Sequence, residues 1–322
     1  MPIDDWQPTA SLTNIRLRAR ILGQIRQFFA DRSVLEVETP VLCNATVTDL
    51  HLHTLSTEAE IPGLGCPTRL HLQTSPEFAM KRLLATGAGP IYQLCKAFRD
   101  QEGGRLHNPE FTMLEWYRPG WDHHRLMDEV DDLLAAVLGT APAKRRSYGE
   151  LFLTELGIDA HLDDIDTLKR RALDHGLEDV VGLDREGWLS LIMTHSLEAG
   201  LGSEAPTFLF DYPADQAALA RIRDDDPPVA ERFEVYVRGV ELANGYHELT
   251  DADEQRRRFE KDLQQRRIHG LPEPPVDHRL VAALEHGMPP CAGVALGVDR
   301  LIMLAAGASD LKDVIAFPIE RA

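Results

Sequence analysis

The chain has 322 residues, 43% of them hydrophobic, which is enough to bury a large core, and its informative segments run from residue 28 to 300, so one domain spanning 1–322 is expected. Its 52 Asp plus Glu against 34 Lys plus Arg give a formal net charge of -18. Affinity for nucleic acid comes mostly from basic patches set against phosphates, so tRNA or another large nucleic acid is not the expected partner.

The N-terminus, Met1 to Trp6, is acidic and has no apolar run, so neither a signal peptide nor a membrane span is expected and a cytoplasmic protein is. Leu12, Ile15, Ala19, Leu22, Ile25 and Phe29 recur at helical spacing and predict an amphipathic helix beginning near Ser11. Short strands then carry the proline-terminated segment Val34 to Pro40 and the segment Gln73 to Leu83. A second helix is predicted over Arg125 to Leu138, stopped by Gly139, and then a mainly helical insertion over about 141–202. Asp224-Asp225-Asp226-Pro227-Pro228 reads as a loop, and Phe233 to Val237 alternates like a strand. Asp251 to Glu254 has cap-like spacing before a charged helix to Ile268, and Asp277 to His286 forms another, stopped by Gly287. Strands and helices without a regular βαβ cadence indicate an α+β fold. The four cysteines, Cys43, Cys66, Cys95 and Cys291, show no paired metal-ligand spacing and are expected to be free thiols in a reducing compartment.

The segment Gly239-Val240-Glu241-Leu242-Ala243-Asn244-Gly245-Tyr246-His247-Glu248-Leu249 carries two carboxylates seven positions apart. In a regular strand an odd spacing puts them on opposite faces. A bulge at Asn244-Gly245 would return Glu241 and Glu248 to one face, whereas a tight hairpin there would set them opposite each other. The bulge is favoured, with the hairpin turn at Arg238-Gly239. Either geometry crowds like charges, which repel unless a cation lies between them.

Two further segments carry the most specific signal: Phe98-Arg99-Asp100-Gln101 through Phe111-Thr112-Met113-Leu114-Glu115-Trp116-Tyr117, and Gly293-Val294-Ala295-Leu296-Gly297-Val298-Asp299-Arg300. In that order they resemble the second and third signature motifs of class II aminoacyl-tRNA synthetases. Taken singly, Arg99 and Arg300 read as surface arginines and Phe111 as core. The resemblance implies a catalytic domain with an antiparallel sheet flanked by helices, and attack of an amino-acid carboxylate on the α-phosphate of ATP. Arg99 would then grip the charged transition state, a task suited to a planar guanidinium fork. Phe111 and Arg300 would sandwich adenine, and His107 and Asn108 would lie at the phosphates and ribose. Asp100, Gln101, Leu242 and Gly297 complete the expected ATP contacts. Glu241 and Glu248 would hold the Mg2+ of the nucleotide. Gln101 departs from the family pattern, which has glutamate there, although its amide oxygen still accepts a hydrogen bond.

Within the class the similarity is greatest to the lysyl-type enzymes and covers nearly the whole chain. Val34 to Pro40 resembles the first motif, which builds the dimer interface in the family, so a homodimer is implied. Gln73-Thr74-Ser75-Pro76-Glu77-Phe78-Ala79-Met80-Lys81-Arg82-Leu83 resembles the loop that meets the substrate amine. With Glu115, Tyr117, Asn244 and Glu248 it implies an acidic, aromatic pocket for a diamine amino acid, since an unpaired buried ammonium would cost several kcal/mol. Taken singly, Glu77 reads as a helix-start charge after Pro76. The anticodon-reading domain of lysyl-tRNA synthetases has no counterpart here, and Ala295 stands where they have glycine. Both features are shared with stand-alone paralogues of the group, a resemblance that implies adenylation of (R)-β-lysine and its transfer to a lysine side chain of elongation factor P. Three other readings share parts of this pattern. A truncated synthetase using α-lysine would need a basic acceptor-stem surface, a non-catalytic regulatory paralogue would have lost an ATP or metal residue, and an asparagine-synthetase-like enzyme would need no diamine pocket. Two basic clusters, Arg16, Arg18, Arg20 and Arg26, then Arg256, Arg257, Arg258, Lys261, Arg266 and Arg267, read as solvated helix faces or as docking surfaces for an acidic protein.

Overall fold

Ser11 opens the first helix, α1 (Leu12–Asp31), by accepting a hydrogen bond from the Asn14 amide, which satisfies one of the orphan donors of the first turn. The computed structural model to which this helix belongs describes residues 6–63 and 67–322. Cys66 lies outside the described residues, and Cys43, Cys95 and Cys291 form no disulfide among the described residues. The buried seam of α1 is Ile21, Ile25, Phe28 and Phe29. It runs one position ahead of the expected stripe at Leu22, and Leu12, expected on it, is exposed at the helix start.

Backbone contacts divide the chain into two units, the first formed by Met1–Gly120, Thr250–Pro290 and Ala295–Ala322, the second by Trp121–Leu249 and Cys291–Val294. In the first unit α1 is followed by β1 (Leu35–Glu36), β2 (Leu42–Cys43), β3 (Ser56–Ala59), β4 (Thr68–Leu72), α2 (Glu77–Ala85), β5 (Ile91–Phe98) and β6 (Glu110–Pro119). The proline-terminated strand expected over Val34 to Pro40 is therefore only the two-residue β1, which pairs parallel with β5. β5 and β6 form a full antiparallel hairpin, with Gln93 opposite Glu115 and Ala97 opposite Phe111, while β2, β4 and β3 make a separate antiparallel sheet. Phe29 of α1 stacks on Tyr92 with centroids 4.4 Å apart and meets Trp116 edge-on at 5.3 Å, which ties the helix to this hairpin.

The second unit begins with α3 (His123–Leu138), two residues earlier than expected because Asp122 is its cap and accepts from the Arg125 amide. It ends at Gly139, whose φ of 67° is the left-handed conformation that stops helices. Then come β7 (Lys144–Ser147), α4 (Tyr148–Leu156), α5 (Ile165–Asp174), α6 (Arg185–Ile192), β8 (Thr207–Pro213), β9 (Ile222–Arg223), β10 (Val229–Val237) and β11 (Val240–His247). The insertion over 141–202 thus holds one short strand besides its helices. Its core, including Tyr148, Phe152, Trp188, Leu189 and Ile192, packs with Leu209, Tyr212 and Tyr236 of the sheet. β11, β10 and β8 pair antiparallel, and β7 joins β8 in parallel.

The chain closes with α7 (Ala252–Ile268), capped by Asp251, α8 (His278–Gly287), capped by Asp277, β12 (Cys291–Gly297) and α9 (Val298–Ala305). The sheets are mostly antiparallel and flanked by helices, an α+β architecture as expected. No helix among the described residues is long and apolar enough to cross a membrane.

The β10–β11 hairpin turns at Arg238-Gly239, both with positive φ, as expected. The bulge is elsewhere than expected. Val235 faces Ala243 and Tyr236 faces Glu241, so the extra residue is Leu242 and not Asn244-Gly245. Gly245 serves a different need, since an added Cβ there would lie 2.4 Å from Phe233 Cζ and 2.9 Å from Val294 Cβ. Gly245→Ala is therefore expected to lower unfolding free energy by about 1–3 kcal/mol through overpacking. Urea denaturation checks this, and an unchanged midpoint would show that Phe233 moves aside freely.

Candidate functional site

In the first unit the second-motif strand presents Glu115 from a buried position on β6. Ser75 Oγ donates to one carboxylate oxygen at 2.6 Å, and Tyr117 Oη donates to the other at 2.6 Å. Ser75 Oγ also accepts from the Glu77 amide, fixing the start of α2. Ser75, Glu77, Glu115 and Tyr117 are thereby brought together, with Pro76 as the residue that leads into the helix. Glu77 is already engaged: Lys81, one helical turn on and 1% exposed, donates to its Oε1 at 2.6 Å. Sequence reasoning gave Lys81 no role, although the Glu-to-Lys spacing of four was there to be read. The Glu77 carboxylate is thus already paired with a resident ammonium, and Glu115 accepts from the Ser75 and Tyr117 hydroxyls. Burial first, then the charge of Glu115, pushes the nearby Cys95 thiol up to about 12, so Cys95 is an inert neutral wall.

The arginines of the two motifs are held differently. The Arg99 guanidinium lies 5.0 Å from the Phe111 ring centroid and its Nη1 reaches Glu102 at 3.5 Å, while its buried Nε has no hydrogen-bond partner among the described residues. Arg300, in the first turn of α9, donates from Nε to the Leu106 carbonyl at 3.2 Å and its Nη2 lies 2.8 Å from His107 Nε2. Burial first, then the Arg300 charge, holds the His107 imidazole below its ordinary value. A neutral ring can accept from the guanidinium, which fixes Nδ1 as the protonated nitrogen.

Asp100 accepts from the Gln101 amide, and Gln101 sits exposed at the tip of the motif loop with φ +62°. Asn108 is tied into the fold, since its amide nitrogen donates to the Glu110 carbonyl at 2.6 Å and its oxygen accepts from the Ile319 amide at 3.0 Å. Gly297 is the residue from which α9 starts, and Ala295 lies two residues before it on β12. The residue between Val298 and Arg300 proves as informative as either motif arginine. Asp299, buried, accepts from Arg18 at 2.6 Å and from the Thr112 amide at 2.6 Å, so α1, β6 and the first turn of α9 are locked together. Arg18 is thus not part of a solvated basic face. The second basic cluster is also partly spent: buried Arg266 bonds the Asp49 and Pro272 carbonyls, and Arg256, Arg257 and Arg258 pair with Asp253, Glu254 and Glu285.

In the second unit, the extra residue at Leu242 gives Glu241 the same facing as Asn244 and Tyr246, and the even step to Glu248 continues that face. Across the ladder stand Tyr236, Glu234 and Arg232. Arg232 pairs with Glu234 at 2.5 Å and donates to Asn244 Oδ1 at 3.2 Å, while Tyr236 donates to Glu234 at 2.5 Å and Asn244 donates to the Tyr246 hydroxyl at 3.1 Å. Asn244 is therefore oriented from both ends. Arg232, Glu234 and Tyr236 were readable as the polar half of the alternation whose apolar half is Phe233 and Val235. Glu248 is 2% exposed, and its backbone amide donates to the Cys291 carbonyl. Two carboxylates on one face, one of them buried, are the donor set expected of a hard divalent cation, and Glu241 and Glu248 fit Mg2+ by that chemistry.

This combination of an α+β sheet, a motif loop carrying Arg99 and a helix-borne Arg300 defines a class II synthetase catalytic domain. The sequence profile of the tRNA synthetases class II (D, K and N) matches residues 5–321, and the chain belongs to that family. It is 55% identical over 324 residues to the elongation factor P--(R)-beta-lysine ligase of Vibrio cholerae serotype O1, covering 100% of both chains. The proteins of the same name from Vibrio vulnificus and Salmonella typhi are each 54% identical, over 98% of both chains.

Proposed function

We propose that this chain activates (R)-β-lysine with ATP and transfers it to a lysine side chain of elongation factor P. The observation that carries the reading is the buried Glu115, held by Ser75 and Tyr117, in a chain that matches relatives of that name from end to end. Glu115 is the anionic partner for a substrate ammonium. The Ser75 and Tyr117 hydroxyls fix the orientation of its carboxylate.

In the first step the bound substrate carboxylate attacks the α-phosphate and pyrophosphate leaves. Arg99 contributes a guanidinium to the oxygens on which charge grows, and Phe111 and Arg300 bracket adenine. Glu241 and Glu248 would hold Mg2+, which would supply neutralisation of the phosphate charge. No covalent enzyme intermediate is needed, because positioning and electrostatics suffice. The unprotonated ε-amine of the acceptor lysine then attacks the mixed anhydride and AMP departs. Arg16 and Arg20 remain exposed on α1 as a docking face for an acidic acceptor. The reading includes a homodimer built through the first-motif segment.

Side-by-side ATP–pyrophosphate exchange with (R)-β-lysine, α-lysine and aspartate tests substrate choice. The β-isomer is expected to exchange best. Ala295→Gly removes one methyl and is expected to shift the ratio of the two lysine rates toward α-lysine by up to about 1–3 kcal/mol, the worth of a methylene-sized change in a pocket. An unchanged ratio would place Ala295 outside the selectivity wall.

A further inference from the structure

The face of the β10–β11 hairpin opposite Glu241 and Asn244 carries a second set of ligating side chains. His247, one residue beyond Tyr246, lies on that far face, and its Nδ1 is 2.7 Å from Glu231 Oε2. α3 packs against both strands and sets His123, its first residue, beside them. One ligand atom from each of His123, Glu231 and His247 falls within 4.8 Å of the other two. His123 is 1% exposed and neither of its ring nitrogens has a hydrogen-bond partner among the described residues; the nearest carboxylate, Asp211 Oδ1, is 3.6 Å from its Nε2. A buried imidazole with both nitrogens unsatisfied is costly unless something else meets it. None of the three residues has a task in adenylation.

We propose that His123, Glu231 and His247 form a binding site for a divalent ion of the zinc type, distinct from the Mg2+ pair. Two imidazoles and one carboxylate are a borderline-soft donor set that favours zinc over magnesium, and three protein ligands leave a fourth position for water. The ion gives His123 the partner it lacks and replaces the hydrogen bond between His247 and Glu231. Asp211, gripped by Arg223 through both oxygens at 2.7 and 3.2 Å, stands behind His123 as an outer carboxylate. Arg221 and Arg223 also approach Glu231, at 3.4 and 3.7 Å. These cations compete with the ion for the carboxylate, so the site is weaker than a closed structural zinc centre. His247 directly precedes Glu248, which places the ion on the strand that carries the proposed Mg2+ ligand.

The test uses the purified full chain, stripped with chelator and dialysed against zinc chloride in excess Mg2+, with bound zinc counted by mass spectrometry of the element. One zinc per chain is expected, and cobalt loaded in its place should give the visible absorption of a four-coordinate nitrogen and oxygen site. His123→Gln and Glu231→Gln should each weaken zinc binding by more than about 10-fold, whereas Glu241→Gln should leave it unchanged. Arg221→Ala, which removes a half-exposed competing cation, should tighten zinc binding, an outcome that misfolding cannot imitate. Zinc bound below half an equivalent, zinc lost in Glu241→Gln but retained in His123→Gln, or no tightening in Arg221→Ala would overturn the proposal.

Discussion

Arg99→Ala is expected to lower ATP–pyrophosphate exchange by about 10² to 10³, the usual cost of removing one transition-state donor, while far-UV circular dichroism and the unfolding midpoint stay where they were. The guanidinium makes a single long contact to Glu102 and rests near the Phe111 ring, so the fold draws little from it. Its remaining donors are what a phosphate oxygen would use. The loss should appear in kcat, because the charge that Arg99 answers grows during attack. A decrease smaller than tenfold would return Arg99 to the surface arginine it is when read alone.

Glu115→Gln should raise the KM for the diamine substrate by about 10² to 10³, because removing one partner of a buried ion pair costs roughly 3–5 kcal/mol. The amide keeps the size of the carboxylate, and its oxygen still accepts from Ser75 or Tyr117, so the fold survives. Only the charge is gone. ATP should bind as before, and exchange at saturating amino acid should recover part of its rate. An unaltered KM would show that the substrate ammonium is met elsewhere and that the Ser75–Glu115–Tyr117 network is only a structural device.

The residues that could be read in the sequence were those whose chemistry is local. The turn at Arg238-Gly239 follows from backbone conformation over two residues, and the caps of α7 and α8 follow from an aspartate placed just before each helix. The bulge was foreseen in kind but not in place. Asn-Gly is a strong turn signal, and here the glycine answers the Phe233 ring instead, a contact that depends on the neighbouring strand. Long-range ties were invisible for the same reason. Arg18 and Asp299 stand at opposite ends of the chain, and nothing near either one marks the ion pair that holds Arg300's helix to the motif strand. Folding also consumes charge in ways the sequence does not mark: Lys81 pairs with Glu77, and Arg266 is spent on backbone carbonyls. Asn108, whose neighbours carry the motif, closes the chain end against it.

Transfer to protein is the central claim, and intact-mass spectrometry of elongation factor P tests it most directly. After incubation with this chain, ATP, Mg2+ and (R)-β-lysine, the factor should gain a single β-lysyl group on one lysine side chain, and the gain should vanish in the Arg99→Ala variant. An elongation factor P that stays unmodified while lysine tRNA becomes acylated under the same conditions would contradict the account.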